Sequence, residues 1–310
     1  MHMYIYIYII YIYMKITYGI TKDEAIDVTE ICKEQLLTRN NIIVIPYGDG
    51  NRAKHFTDPY YCIKKKIFIE IDGIINEYEE YVQILINIAN NKICTIVIVG
   101  IKIENIHSKL KLNYGTLKDE LPEQKMIVKY LKGHEKVLEI GGNIGRSSLV
   151  IGFILENTNN LLTLESDENI SKQLIENRES NNMKFHIECS ALSKRKLIQK
   201  DWDSKPSETL EPGFKWVNTI TLEQLKMKYN INFDTLVLDC EGAFYYILMD
   251  MPEILDNINL IIMENDYHNF EHKQYIDNIL IKNNFYVDYT ESGGWGPCYN
   301  NFFEAWKKSV

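Results

Sequence analysis

The sequence predicts an α/β domain built on a doubly wound sheet that ends in an antiparallel hairpin, preceded by a small, mainly β module. Three observations carry that reading. Short apolar runs at residues 137–140, 161–164, 235–238 and 260–263 alternate with stretches of helical period, and each run holds or adjoins a carboxylate: Glu139, Glu165, Asp239 and Glu264. Strands buried on both faces of a parallel sheet have this continuous apolar character. A glycine-rich turn follows the first run, and the chain finishes with strand-like segments at 285–289 and 301–306 joined by Gly293-Gly294-Trp295-Gly296-Pro297.

A chain of 310 residues is long enough for two domains, and 45% hydrophobic with 25% charged residues is ordinary for a soluble globular protein. The net charge of -9 makes a broad phosphate-binding surface a poor expectation, so nucleic acid is not the default partner. Six scattered cysteines without a C-x-x-C pair suit reduced thiols in the cytoplasm better than disulfides or zinc. The first 13 residues alternate Tyr and Ile, too short for a membrane span. Tyr, Ile, Met and His are what a translated TA repeat encodes. Met14 is therefore expected to be the natural start, with residues 1–13 carrying no function.

Residues 14–110 read as the β-rich accessory module. Strands are expected at 15–18, 41–45, 66–71 and 94–99, with a helix over 79–89, where Tyr81, Ile84, Leu85 and Ile88 recur at helical spacing. The segment 46–61 reads as a loop. Its Asp49, Asn51, Arg52, Lys54, His55, Asp58, Tyr60 and Tyr61 would suit either a polar ligand or plain solvation.

The second domain is placed at 111–310. A helix should begin near Thr116, with Pro122 in its first turn and Ile127, Tyr130 and Leu131 inward. Glu120 and Glu123 could reach a ligand, though solvated helix charges are the favoured reading. The turn after the first buried strand, Glu139-Ile140-Gly141-Gly142-Asn143-Ile144-Gly145, satisfies neither the dinucleotide G-x-G-x-x-G nor the phosphate loop G-x-x-x-x-G-K-[ST]. It is E-x-G-x-N-x-G, with glycines that let backbone approach a ligand. Glu165 ends the second buried strand 20 residues beyond Gly145, where nucleotide-binding α/β folds grip a ribose diol. Asp167 should cap the next helix. The third strand leads to Ser190 and Ala191, small enough for a flat ring to lie against them, while His186 reads as packed. Residues 194–215 are polar and irregular, and Trp202 there is either a stacking surface or part of a plain loop. Thr221 and Gln224 have capping-box spacing. The fourth strand ends on Asp239 and Glu241, and the fifth on Glu264 followed by Asp266 and His268. All of these lie at the carboxyl ends, where ligands of open α/β sheets bind.

The motif Glu139–Gly145, Glu165, Ser190-Ala191-Leu192-Ser193, Val217-Asn218-Thr219-Ile220-Thr221-Leu222 and Leu238-Asp239-Cys240-Glu241-Gly242-Ala243 together resemble the FkbM-type, class I S-adenosylmethionine-dependent methyltransferases over about residues 118–306. V-x-T-I-T-L and D-x-E-G-A are the specific part. Glu139 and Gly142 stand where that family more often has Asp and Ala, and the N-terminal module lies outside the resemblance. The resemblance implies S-adenosyl-L-methionine as cofactor, held by Glu139, Gly141, Gly142, Asn143, Gly145, Glu165, Ser190, Ala191 and Asp239. It implies methyl transfer to a hydroxyl of a sugar, a glycan or a small metabolite, with no membrane partner. Asp239, Glu241 and His268 are the candidate bases, with Glu264 behind them, and no metal ligand is assigned. The alternatives are a Mg²⁺-dependent enzyme using Asp239, Glu264 and Asp266, or a scaffold whose cofactor site has been retired.

Overall fold

The computed structural model describes residues 14–90, 92–200 and 203–309. Residues 1–13 and Trp202 therefore lie outside the described residues, with the expectations placed on them. The chain divides into two compact units that part between Lys102 and Ile103, inside the helix Val99–His107, earlier than the boundary expected at 110/111.

The N-terminal unit is antiparallel throughout. One sheet has the order Ala25–Asp27, Met14–Gly19, Lys66–Ile71, Ile74–Tyr78, and a second has Ile42–Ile45, Val82–Asn87, Lys92–Val97. Its core is aliphatic, with Ile16, Ile43, Ile45, Ile67, Ile69, Ile84 and Ile86 wholly buried around Tyr18 and Phe56. The helix expected over 79–89 is the strand Val82–Asn87. Val82, Ile84 and Ile86 point inward in strict alternation, and two-residue period overrides the looser helical match.

The segment 46–61 contains a helix, Asp49–Phe56, and its Asp49, Arg52 and Asp58 serve the fold, while Asn51, Lys54 and Tyr61 are exposed. Arg52 is fully buried and donates to the carbonyls of Pro46, Glu79 and Val82. Lys65 Nζ, also buried, pairs with Asp49 at 3.0 Å and Asp58 at 2.7 Å. Charges so buried need such partners.

The C-terminal unit is organised by a seven-stranded sheet. Its strands in chain order are β1 (Val137–Ile140), β2 (Leu161–Leu164), β3 (His186–Glu188), β4 (Thr235–Leu238), β5 (Leu260–Glu264), β6 (Phe285–Glu291) and β7 (Phe303–Lys308). They lie in the order β3-β2-β1-β4-β5-β7-β6. All pairings from β3 to β5 are parallel, and β7 runs antiparallel to both β5 and β6. This is the expected doubly wound sheet with its terminal hairpin. The chain moves outward from β1 to β3, then returns to place β4 on the other side of β1. The reversal between β1 and β4 is a topological switch point. Every residue of β1, β2 and β4 is buried, which is why these strands stood out as apolar runs.

The connecting helices are α1 (Leu121–Tyr130), α2 (Arg146–Ile154), α3 (Glu168–Ser180), α4 (Leu222–Tyr229), α5 (Phe244–Asp250) and α6 (Phe270–Lys282). Asp167 caps α3 through the amides of Asn169 and Ile170, and Thr221 with Gln224 completes a capping box on α4, both as the sequence indicated. Thr116 does not cap α1, which starts five residues later at Leu121 with Glu120 at its head. Residues 194–215, read as irregular, hold an antiparallel sheet in the order Asp203–Pro206, Leu197–Lys200, Lys215–Val217. Among the described residues no helix is long and apolar enough to cross a membrane.

Candidate functional site

The tips of β1, β2 and β4 meet around the glycine turn. Gly141 takes φ +93°, and a Cβ there would lie 1.5 Å from the Asp239 carbonyl oxygen, so only glycine lets the turns after β1 and β4 touch. The amides of Gly141 and Gly142 both donate to the Leu164 carbonyl, binding the turn to the end of β2. Asn143 adopts a left-handed φ of 46°, which aims its amide at Glu165 Oε2, 2.8 Å away. Glu165 Oε1 accepts from the Asp167 amide at 2.8 Å. Burial raises the pKa of Glu165, and these two amide bonds oppose the rise.

A cavity of about 380 Å³ opens beside this turn. Gly141, Asn143, Glu165, Ser190, Ala191, Asp239 and Glu241 all line it, so seven of the residues singled out in the sequence converge on one space. Its volume lies within the usual range for small-molecule sites. The apolar part of the wall comes from Leu164, Ile170, Leu192, Leu197 and Ile247. Ser190 Oγ is turned onto Glu188 at 3.1 Å, and Glu188 is held in turn by Lys228 and Tyr229.

The remaining candidates lie elsewhere. Glu139 is 2% exposed and sits beneath the turn, where Ser148 Oγ donates to it. Burial pushes its pKa up to about 7. It faces a separate small void shared with Glu120, Glu123 and Asp239. Gly142 and Gly145 make room for the scaffold: added Cβ atoms would meet Thr163 Oγ1 and Leu174 Cδ1, each at 2.4 Å. His268 is exposed beside the Trp295 ring, with centroids 4.5 Å apart, and its proximity opposes the burial that raises Glu241. Glu264 hydrogen-bonds Glu123 and Asp239, and burial together with the Asp239 and Glu123 charges lifts it to about 11. Asp239 is also raised, by burial first and then by Glu120.

Asp266 accepts from the Gly242 amide at 2.8 Å and rises to about 7 through burial and Glu241. Its other oxygen, Oδ2, is buried without a hydrogen-bond partner among the described residues. Among the described residues no group of three or more His, Cys, Asp or Glu is placed to hold a metal ion.

Two features of the site were not evident from the sequence. Arg146, the first residue of α2, reaches back to Glu120 at 2.6 Å and to the Thr116 carbonyl at 3.1 Å, strapping the segment ahead of α1 onto the glycine turn. The three-stranded insert contributes Leu197, Gln199 and Ser204 to the cavity wall. The spacing Leu197-x-Gln199 is the only sequence signal of the latter.

The fold thus defines a doubly wound α/β protein with a cavity at its switch point. No protein-family model matches the chain, and no curated protein does. Among solved structures, it is similar to a ribosomal protein L11 methylase from Lactobacillus delbrueckii subsp. bulgaricus at 12% identity, covering 62% of this chain and 80% of that one, with a TM-score of 0.40. An O-methyltransferase from Bacillus cereus in complex with SAH aligns at 14% identity over 67% of this chain and 88% of that one, with a TM-score of 0.39. An rRNA methylase from Streptococcus thermophilus aligns at 9% identity over 60% and 94%, also with a TM-score of 0.39. Likeness of that degree assigns neither activity nor ligand to this chain.

Proposed function

We propose that the C-terminal unit is an S-adenosylmethionine-dependent O-methyltransferase of the FkbM type, acting on a hydroxyl of a sugar, a glycan or a small metabolite. The observation that supports this most is the convergence of Glu165 and Asp239 on one cavity beside Gly141, at the switch point of a sheet with a terminal antiparallel hairpin.

The residues present suit the cofactor. A carboxylate has about four acceptor positions. The Asn143 and Asp167 amides take two on Glu165, which leaves capacity for both hydroxyls of a ribose. Ser190 and Ala191 offer a small-residue wall for the base, and Gly141 with Asn143 would border the methionine end. When bound, the cofactor supplies an electrophilic methyl on a sulfonium. The protein's own part is to orient an acceptor hydroxyl, worth ~7–11 kcal/mol in favourable cases, and to take its proton, worth ~10²–10⁴-fold.

Asp239 and Glu241 both face the cavity and are the candidate bases. The hydrogen bond with Glu264 lowers the Asp239 pKa, whereas the one with Glu123 raises that of Glu264. Burial and the Glu120 charge nonetheless hold Asp239 well above the usual carboxylate range, and burial raises Glu241 too.

A labelled-methyl transfer screen against glycans and metabolite extracts tests the reading. With an acceptor in hand, Asp239→Asn or Glu241→Gln should cut turnover by ~10²–10⁴-fold while cofactor affinity changes far less. Full activity in both variants removes the carboxylate base.

A further inference from the structure

The insert at 197–217 has an underside that the methyl-transfer reading leaves without a role. Leu197 and Gln199 stand two apart on one strand and so face the same way. Gln199 pairs in register with Ser204 on the neighbouring strand, and all three residues line the cavity. Gln199 also pairs in register with Lys215 on the other side, and Lys215 is salt-bridged to Asp167 at the head of α3. This sheet is a roof fixed over the β2 tip.

Gln199 is the buried polar side chain on the cavity side of that sheet. It is 6% exposed, among Leu164, Ile170, Leu192 and Leu197. Its contact with another side chain is a marginal one, Ser166 Oγ to Oε1 at 3.5 Å, and its Nε2 has no partner among the described residues. Its amide nitrogen is not sealed from solvent but opens to the cavity, where it has donor capacity to offer a ligand.

We infer that Gln199 reads the base of the bound nucleoside, its carboxamide oxygen accepting from the adenine amino group and its amide N–H donating to N7. Adenine offers that complementary edge, and a primary amide of Gln matches it with two hydrogen bonds. On that N7 edge a 6-oxo purine presents two acceptors, so no orientation of the amide can make both bonds. The apolar residues around Gln199 cover the ring faces, and Glu165, one residue before Ser166, holds the ribose. This inference rests on the cofactor reading above and adds a residue that sets its base specificity.

Equilibrium dialysis of the full chain with S-adenosylhomocysteine and with its 6-oxo analogue, S-inosylhomocysteine, tests it. The native protein should prefer the adenine compound by about tenfold or more. Gln199→Leu should weaken adenine binding and bring the two affinities within about threefold, and Gln199→Met, matched in length, should do the same if the leucine variant folds poorly. Preference retained in a folded variant overturns the role of Gln199 and leaves the cofactor site standing. Failure of the native protein to bind either compound overturns both.

Discussion

Glu139 shows how one residue can be legible as chemistry and still be misplaced in space. Its position in E-x-G-x-N-x-G suggested a hand on the cofactor, yet it lies beneath the turn, bonded to Ser148. Its folded pKa of about 7 stands above the ordinary 4.5, so the native state binds the proton more tightly than the unfolded chain. Its stabilising effect is then present below pH ~4.5 and is lost as pH rises toward ~7. Asp266, raised from 3.8 to about 7, acts in the same direction. Thermal melts should therefore show midpoints falling between pH 5 and 7, and Glu139→Gln should flatten part of that slope. A slope unchanged in the variant would contradict the placement.

The glycines separate equally well. Gly141→Ala drives a Cβ against backbone at φ +93° and should abolish folding or ligand binding. At Gly145 the obstacle is a terminal methyl of Leu174, although φ is +97°. Gly145→Ala should cost ~1–3 kcal/mol in urea unfolding with the cavity intact. If the two variants behaved alike, the close approach of the β1 and β4 turns would not be what Gly141 provides.

At the scale of elements, the strands of the main sheet were readable because burial on both faces leaves an unbroken apolar run, as in Val137–Ile140 and Thr235–Leu238. Helix caps were readable too, since Asp167 and Thr221 act within three residues of themselves. The strand Val82–Asn87 is ambiguous in sequence because Tyr81, Ile84, Leu85 and Ile88 keep a helical period while Val82, Ile84 and Ile86 keep a strand's, and its pairing with Ile42–Ile45 and Lys92–Val97 decides the matter. The insert sheet is hard to read for a related reason: strands 197–200, 203–206 and 215–217 are short and mixed in polarity, so none makes the unbroken apolar run of a buried strand.

The strap from Arg146 is a further non-local device. Half-buried Glu120 already has its pKa raised by burial, opposed by Arg146. Arg146→Ala would leave that carboxylate uncompensated beside Asp239 and should destabilise the unit by ~1–3 kcal/mol in urea unfolding. A variant as stable as the native chain would mean the strap is incidental.

At the scale of the molecule, the two units divide labour differently from what composition alone suggests. Of the polar residues of 46–61, open to a ligand-binding reading, Asp49 and Asp58 are spent on buried Lys65 and Arg52 on backbone carbonyls. The C-terminal unit instead holds its acids at strand tips, where they line an open cavity.

We propose that a sulfonium nucleotide occupies that cavity with its ribose on Glu165. Isothermal titration of S-adenosylhomocysteine into the full-length protein tests this most directly. One site per chain is predicted, with affinity falling at least ~10-fold in Glu165→Ala. Absence of binding, or unchanged affinity in a folded Glu165→Ala variant, would contradict it.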